Sequence, residues 1–323
     1  MQTENNRKYT SITNPSIKRT YGERIFTRDD EYTVFWETIK ERNVYCSPYP
    51  GNGGDLLIRN GTLKMLEDIG IAQTSNPEDA EIILYPGGCP SMWPPVIDCI
   101  KKTITDYPKA KIIIGPATFE YGYTDWPELF DKYSDRIKAL FARDKRSYNN
   151  LLKSGLKEKV HTGLSHDPSL YLLNCDWLIK QRQASSSEYI LVALRRDREM
   201  AVDKMAKATN ILKPVLSQKA FHKLTRWVRK KAKKQKIKYI EKKAHNDLPI
   251  RDIDVWTLDF EDYIDTIRRA GEIHTDRLHV MILGAMLGKT VFAYKTLYGK
   301  LENVYEHSLK DWANTVIVSD YKL

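Results

Sequence analysis

Apolar residues along this chain fall into short solid blocks, and between the blocks they return at helical spacing. The blocks Asn43-Val44-Tyr45-Cys46, Ala80 to Tyr85, Ala110 to Ile114, Ile137 to Ala142, Glu188 to Leu194 and Thr290 to Tyr294 read as buried strands. Shorter strands are expected at Lys159-Val160-His161 and at Lys236 to Ile240. Helical periodicity covers residues 31–40, where 32, 35, 36 and 39 share one face, and then 55–69, stopped at Gly70. Further helices are expected over 96–107, 145–154, 200–209, 217–235 and 259–270. Strands alternating with helices imply an α/β protein built on parallel sheets. Ligands of such sheets lie beyond the carboxyl ends of the strands, and the glycine turns of this chain fall there.

The strongest pattern lies between Glu272 and Tyr294. Leu278 to Leu287 is almost continuously apolar, as in a helix covered on most sides. Thr275 or Asp276 is placed to cap it, and Gly288 to stop it. Arg277 and His279 fall in its first turn, where they would add cationic donors to a helix N-terminus, already a favourable place for an anion. The competing reading pairs Arg277 with Asp276 or Glu272 and leaves His279 a satisfied core residue.

With 323 residues the chain has room for two domains. The pattern divides it into an N-terminal extension with one helix (1–42), a first Rossmann-like domain (43–175), a linker (176–187, with Gln183-Ala184-Ser185-Ser186-Ser187) and a second Rossmann-like domain (188–323). The N-terminus lacks the apolar core of a signal peptide, and no run has the length of a membrane span, so a cytoplasmic protein is expected. Cys46, Cys89, Cys99 and Cys175 show no metal-ligand spacing and are expected as free thiols.

The net charge of +10 invites a nucleic-acid reading, but its location opposes one. Residues 219–243 hold 12 of the 52 basic residues and one of the 42 acidic ones; the remainder, 40 basic and 41 acidic, nets −1. Within the run, Phe221, Leu224, Val228 and Ala232 make one helical stripe with Trp227 beside it, so a surface helix with a Lys/Arg-rich solvent face is the preferred reading. Peripheral contact with an anionic membrane is the sharper one.

Four segments carry candidate chemistry. Gly51-Asn52-Gly53-Gly54-Asp55 follows a strand and opens a helix. It has neither the GxGxxG spacing of a dinucleotide site nor the Lys-Ser/Thr of a P-loop, so neither cofactor is supported. Asp55 is either a helix-start residue or a carboxylate facing a cleft, able to accept a hydroxyl proton. Leu194-Arg195-Arg196-Asp197-Arg198-Glu199 sets arginines at a strand's carboxyl end, suited to carboxylate or phosphate. Arg143-Asp144-Lys145-Arg146-Ser147 joins strand to helix, with a structural role favoured. In His166-Asp167-Pro168, Asp167 either reaches the cleft or bonds its own turn.

In this order the pieces resemble the polysaccharide pyruvyl transferase family, from about Asn43 to Tyr294. The resemblance rests on Gly51-Asn52-Gly53-Gly54-Asp55, Leu84-Tyr85-Pro86-Gly87-Gly88, Arg143-Asp144-Lys145-Arg146-Ser147 with Gly155, and Asp167-Pro168. Its most specific piece is Arg277-Leu278-His279 followed by Gly288-Lys289-Thr290-Val291. It implies two Rossmann-like domains facing a cleft, similar to the glycosyltransferase-B architecture. It implies transfer of a pyruvyl group from phosphoenolpyruvate to two hydroxyls of one sugar, giving a ketal on a surface polysaccharide or its lipid-linked precursor. Phosphoenolpyruvate would be the donor substrate, with no cofactor, no metal and no specific nucleic-acid partner. The resemblance puts Arg277, Leu278 and His279 on phosphoenolpyruvate, with Arg195 or Arg196 matching a further arginine by position. Asn52, Gly53, Gly54 and Asp167 are the acceptor-side candidates. His279 is the candidate acid and Asp55 the candidate base, with Asp167 second. The competitors are a nucleotide-sugar glycosyltransferase of the same architecture and a polyanion- or membrane-binding module built on 219–243.

Overall fold

The computed structural model describes residues 30–39, 42–48, 51–195, 217–244, 247–296 and 298–318. Arg196 and the helix expected over 200–209 lie outside the described residues.

Strands β1 (Val44–Cys46), β2 (Ile82–Tyr85), β3 (Lys111–Ala117), β4 (Ile137–Ala142) and β5 (His161–Leu164) form a parallel sheet in that spatial order. Their apolar blocks are solid because both faces are covered. Ile83, Tyr85, Ile112, Ile114 and Leu140 point into a core closed by helices α3 (Pro94–Asp106), α4 (Trp126–Lys132) and α5 (Lys145–Lys153). The alternate residues Ile82, Leu84, Ile113, Ala139 and Phe141 pack against α1 (Glu31–Glu37) and α2 (Gly53–Asp68). Tyr32 and Trp36 of α1 are fully buried there, so this helix belongs to the first sheet's core rather than to an appendage.

A second parallel sheet, ordered β10-β9-β8-β6-β7, joins β6 (Tyr189–Ala193), β7 (Ile250–Asp252), β8 (Ala270–Thr275), β9 (Thr290–Tyr294) and β10 (Thr315–Val318). Helix α9 (Leu278–Met286) is buried along nearly its whole length, as its composition predicts, and α8 (Phe260–Arg268) packs beside it. The molecule is thus α/β, two Rossmann-like units facing a cleft in a glycosyltransferase-B-like arrangement.

Two expectations give way. Residues 176–187 do not form an open linker: Asp176–Gln183 is helix α6, with Leu178 fully buried and Arg182 Nε donating to Met286 O at 2.7 Å. Residues 236–240 are not a strand. Helix α7 runs unbroken from Gln218 to Lys243, because Lys236 and Ile240 continue the buried seam begun by Val228 and Ala232.

The two sheets share a core. Leu57 of α2, Leu170, Leu172 and Leu173 of the turn Pro168–Asn174, and Leu178 pack in one cluster with Ile264, Ile273, Met281 and Leu283. After α10 (Lys300–Val304), a π-helical turn (Tyr305–Leu309) reaches back to the first unit. There the His166 and His307 rings stack with centroids 4.6 Å apart, His166 Nδ1 meets Ser308 Oγ at 2.8 Å, and His307 Nε2 donates to Ser165 O at 3.0 Å. Among the described residues, no helix is long and apolar enough to cross a membrane.

Candidate active site

The carboxyl end of β8 and the start of α9 form one wall of the cleft. Thr275 and Asp276 do not cap the helix. Thr275 Oγ1 accepts from Arg277 N at 3.0 Å and donates to Ala193 O at 2.9 Å. Asp276, fully buried, accepts from Arg195 N at 2.6 Å and faces Lys236 Nζ at 3.5 Å. Both side chains are spent on clamping the end of β6 to the end of β8. Helix α9 therefore starts without a side-chain cap, and its first residues Leu278, His279 and Val280 line a cavity. An uncapped N-terminus presents N–H groups and the positive end of the helix dipole to whatever occupies that cavity.

Arg277 reaches an acid from another part of the chain. Its Nη2 pairs with Asp254 Oδ1 at 3.2 Å, and its guanidinium lies 5.9 Å from the Trp256 ring centroid. Arg195 is also buried and lines the same cavity.

The opposite wall is the start of α2. Asn52 caps it, accepting from Gly54 N at 2.8 Å, while Asp55 Oδ2 accepts from Asn52 N at 2.9 Å. This reciprocal pair fixes the turn, and Asp55 still lines the cavity. The glycines have a packing reason. A Cβ on Gly53 would lie 2.5 Å from Tyr263 Cγ, and one on Gly54 would lie 2.5 Å from His279 Nδ1. Two helix N-termini, one from each unit, meet here with no room for a methyl group between them.

Behind His279 sits a buried ionic cluster. Asp167 Oδ2 receives Arg143 Nη1 at 2.7 Å and faces His279 Nε2 at 3.4 Å, while Asp167 Oδ1 accepts from Ser169 N at 3.1 Å and from its hydroxyl at 2.5 Å. Arg143 also donates to Thr118 Oγ1 from Nε at 3.0 Å and from Nη2 at 2.8 Å, and to Cys89 Sγ at 3.4 Å. Burial would raise the Asp167 carboxyl, but His279 and then Arg143 outweigh it and hold it well below the usual carboxylate range. Of the two expectations for Asp167, the structure gives the bond to its own turn, through Ser169, and adds the partnership with Arg143. Asp167 is fully buried, absent from the cavity lining and ionised by its partners, a support beneath His279.

The cavity measures about 380 Å³, within the usual range for small-molecule sites. Among the described residues, its lining gathers Arg143, Arg195, Arg277, Lys300 and His279 with one carboxylate, Asp55. The four Arg/Lys residues are all buried. Trp93 and Trp256, one from each unit, line it while remaining exposed. The structure thus brings together Asn52, Asp55, Arg195, Arg277, Leu278 and His279. It adds Arg143, for which a structural role was favoured, together with Lys300, Trp93 and Trp256, which carried no signal. Only their position at strand ends or in loops facing the cleft would have marked them. Among the described residues, no group of His, Cys, Asp and Glu is arranged to hold a metal ion.

This geometry meets an independent comparison. The model of the family described as polysaccharide pyruvyl transferase matches residues 52–296, and the chain belongs to that family. Its fold is shared with a functionally uncharacterised protein of Klebsiella pneumoniae, 18% identical, with a TM-score of 0.59 over 90% of this chain and 97% of that one. A UDP-GlcNAc 2-epimerase from Methanocaldococcus jannaschii is 14% identical, with a TM-score of 0.41 over 86% and 88% of the two chains. Staphylococcus aureus MnaA, in a co-structure with UDP, is 10% identical, with a TM-score of 0.41 over 84% and 91%. Curated protein sequences give no match.

Proposed function

We propose that the protein transfers the pyruvyl group of phosphoenolpyruvate to two hydroxyls of one sugar in a surface polysaccharide or its lipid-linked precursor, forming a pyruvate ketal. The observation that carries this reading is the charge of the cavity: Arg195, Lys300 and His279 join Arg143 and Arg277, themselves ion-paired with Asp167 and Asp254, in a lining whose one carboxylate among the described residues is Asp55, beside an uncapped helix N-terminus. Phosphoenolpyruvate brings a phosphate and a carboxylate, and a cavity of this charge suits a small ligand with two anionic groups. Family membership supports the same choice.

In this mechanism Arg277, Arg195 and the start of α9 bind the two anionic groups. His279, braced from behind by Asp167, delivers a proton to the methylene carbon, and C2 becomes electrophilic. One acceptor hydroxyl adds to C2, the C–O bond to phosphate breaks, and the second hydroxyl closes the ketal. Asp55 takes up hydroxyl protons as these bonds form. The two hydroxyls release two protons; one replaces the proton spent on the new methyl group, and the other leaves on phosphate.

The test is thermal unfolding with phosphoenolpyruvate and, separately, with UDP-, GDP- and CMP-sugars. A ligand at 100 times its Kd adds about 2.7 kcal/mol. Stabilisation by phosphoenolpyruvate that disappears in Arg277→Ala is the expected result. Stabilisation by a nucleotide sugar alone would sink the donor assignment and favour a glycosyltransferase.

A further inference from the structure

The proposed chemistry leaves the basic run unused. Helix α7 is anchored along one seam: Val228, Ala232 and Ile240 are buried, Lys233 Nζ pairs with Asp252 at 2.6 Å, and Lys236 Nζ faces Asp276 at 3.5 Å. Beside the seam runs a second stripe of Lys219, Lys223, Arg226, Lys230 and Lys234, at the three- and four-residue spacing that puts side chains on one helix face. The stripe is exposed along its length, but it is not flat to solvent. It walls a trough of about 1050 Å³ that also includes Arg195 and Asp252. Asp252 is the only carboxylate among the described lining residues, and it is engaged by Lys233.

Like charges at these spacings destabilise a helix, so five in a row carry a cost that a bound polyanion would offset. The stripe from Lys219 to Lys234 is about 22 Å long, and its centre, Lys223 to Lys230, spans about 10 Å at the rise of an α-helix. That reach exceeds one phosphate and suits two linked ones with part of what they carry. Arg195 lines both this trough and the catalytic cavity, and so stands between the two.

We propose that the trough binds the diphosphate of a diphosphate-linked sugar, and so positions the acceptor's hydroxyls in the catalytic cavity. The inference rests on the pyruvyl-transfer reading for the acceptor role, but not for the diphosphate site itself. The same chemistry belongs to nucleotide-linked and to lipid-linked sugars. A membrane surface fits less well, because the stripe lines a concavity, whereas exposed Trp227, with Lys231 Nζ 5.2 Å from its ring, lies on the adjoining outer face.

Calorimetric titration of the full chain with inorganic pyrophosphate, uridine diphosphate and geranyl diphosphate tests this. All three should bind. The Lys223→Ser/Arg226→Ser/Lys230→Ser variant, altered only at a surface stripe, should bind each about tenfold or more weakly, as expected when charge-assisted contacts are removed. Its affinity for phosphoenolpyruvate should stay unchanged. Tighter binding of uridine diphosphate than pyrophosphate would assign the site to a nucleotide-linked acceptor; tighter geranyl diphosphate would assign it to a lipid-linked one. Equal pyrophosphate affinity in variant and wild type would overturn the proposal. So would binding to phosphatidylglycerol vesicles with no binding of any soluble diphosphate. Stripe-dependent pyrophosphate binding without phosphoenolpyruvate binding would sink the donor assignment and leave the diphosphate site standing.

Discussion

At the scale of single residues, His279 and Asp167 take different places around the cavity. His279 lines the cavity; Asp167 lies beneath it and is held by Arg143. Replacing His279 with Ala should lower kcat by about 10²–10⁴, the usual contribution of a positioned acid. Stabilisation by phosphoenolpyruvate should be largely retained. Near-normal turnover would remove His279 from the acid role. Replacing Asp167 with Ala should do a different kind of damage. It strands the fully buried Arg143, and breaking such a pair costs about 3–5 kcal/mol, which a urea titration would show as a lower midpoint. These two residues mark how far sequence reading reached. The position of His279 in the first turn of a buried helix was legible from the apolar run that follows it. The role of Asp167 was not, because a carboxylate beside Pro168 reads the same whether it faces solvent or a buried guanidinium 24 residues back in the chain.

At the scale of elements, strands were easy to read and caps were not. The solid apolar blocks of β2, β3, β4, β6 and β9 come from sheets covered on both faces, a property local to each block. Which oxygen caps a helix depends on what else competes for it. Thr275 and Asp276 have the residue types of caps, yet the end of β6 takes them both. Lys236 to Ile240 reads as a strand for a related reason: buried lysines are invisible to an apolar pattern, and here Asp276 faces Lys236 while Asp252 pairs with Lys233. The meeting of α2 and α9 gives a direct test. A Cβ at position 54 must displace the His279 ring. Misplacement of a catalytic group by about 1 Å can cost about 10²-fold, so Gly54→Ala should reduce kcat by that order. Gly70→Ala, at a positive-φ position whose Cβ would touch nothing within 4 Å, should alter stability without touching kcat.

At the scale of the whole molecule, the contact between the π-helical turn and the first unit sets a pH response. His166 is lowered to about 3 by burial and by the neighbouring His307, from an ordinary value of 6.5. The folded state thus favours the neutral ring. The stability it contributes is complete above about pH 6.5 and is lost as pH falls toward 3. Asp30, which accepts from Ser165 Oγ at 2.9 Å, is raised by burial to about 6 and works the other way: its contribution is present below 3.8 and lost as pH rises through 6. Tm should therefore fall on acidification below pH 6.5, with Asp30 blunting the fall. His166→Asn should flatten the slope between pH 6.5 and 4 in a thermal series; an unchanged slope would show that this histidine does not carry the response.

The shared core has a mechanical consequence. Two Rossmann-like units joined by a slack tether would open and close like jaws, but here Leu57, Leu170 and Leu178 of the first half and its connector are embedded among side chains of the second. Opening would drag apolar surface into water with every turnover, and the segment a hinge would use is itself the packed helix α6. The molecule should melt as one body, with calorimetric and van't Hoff enthalpies in agreement. A substrate should then enter without the units parting, past Trp93 and Trp256, which line the cavity from either unit and stay exposed.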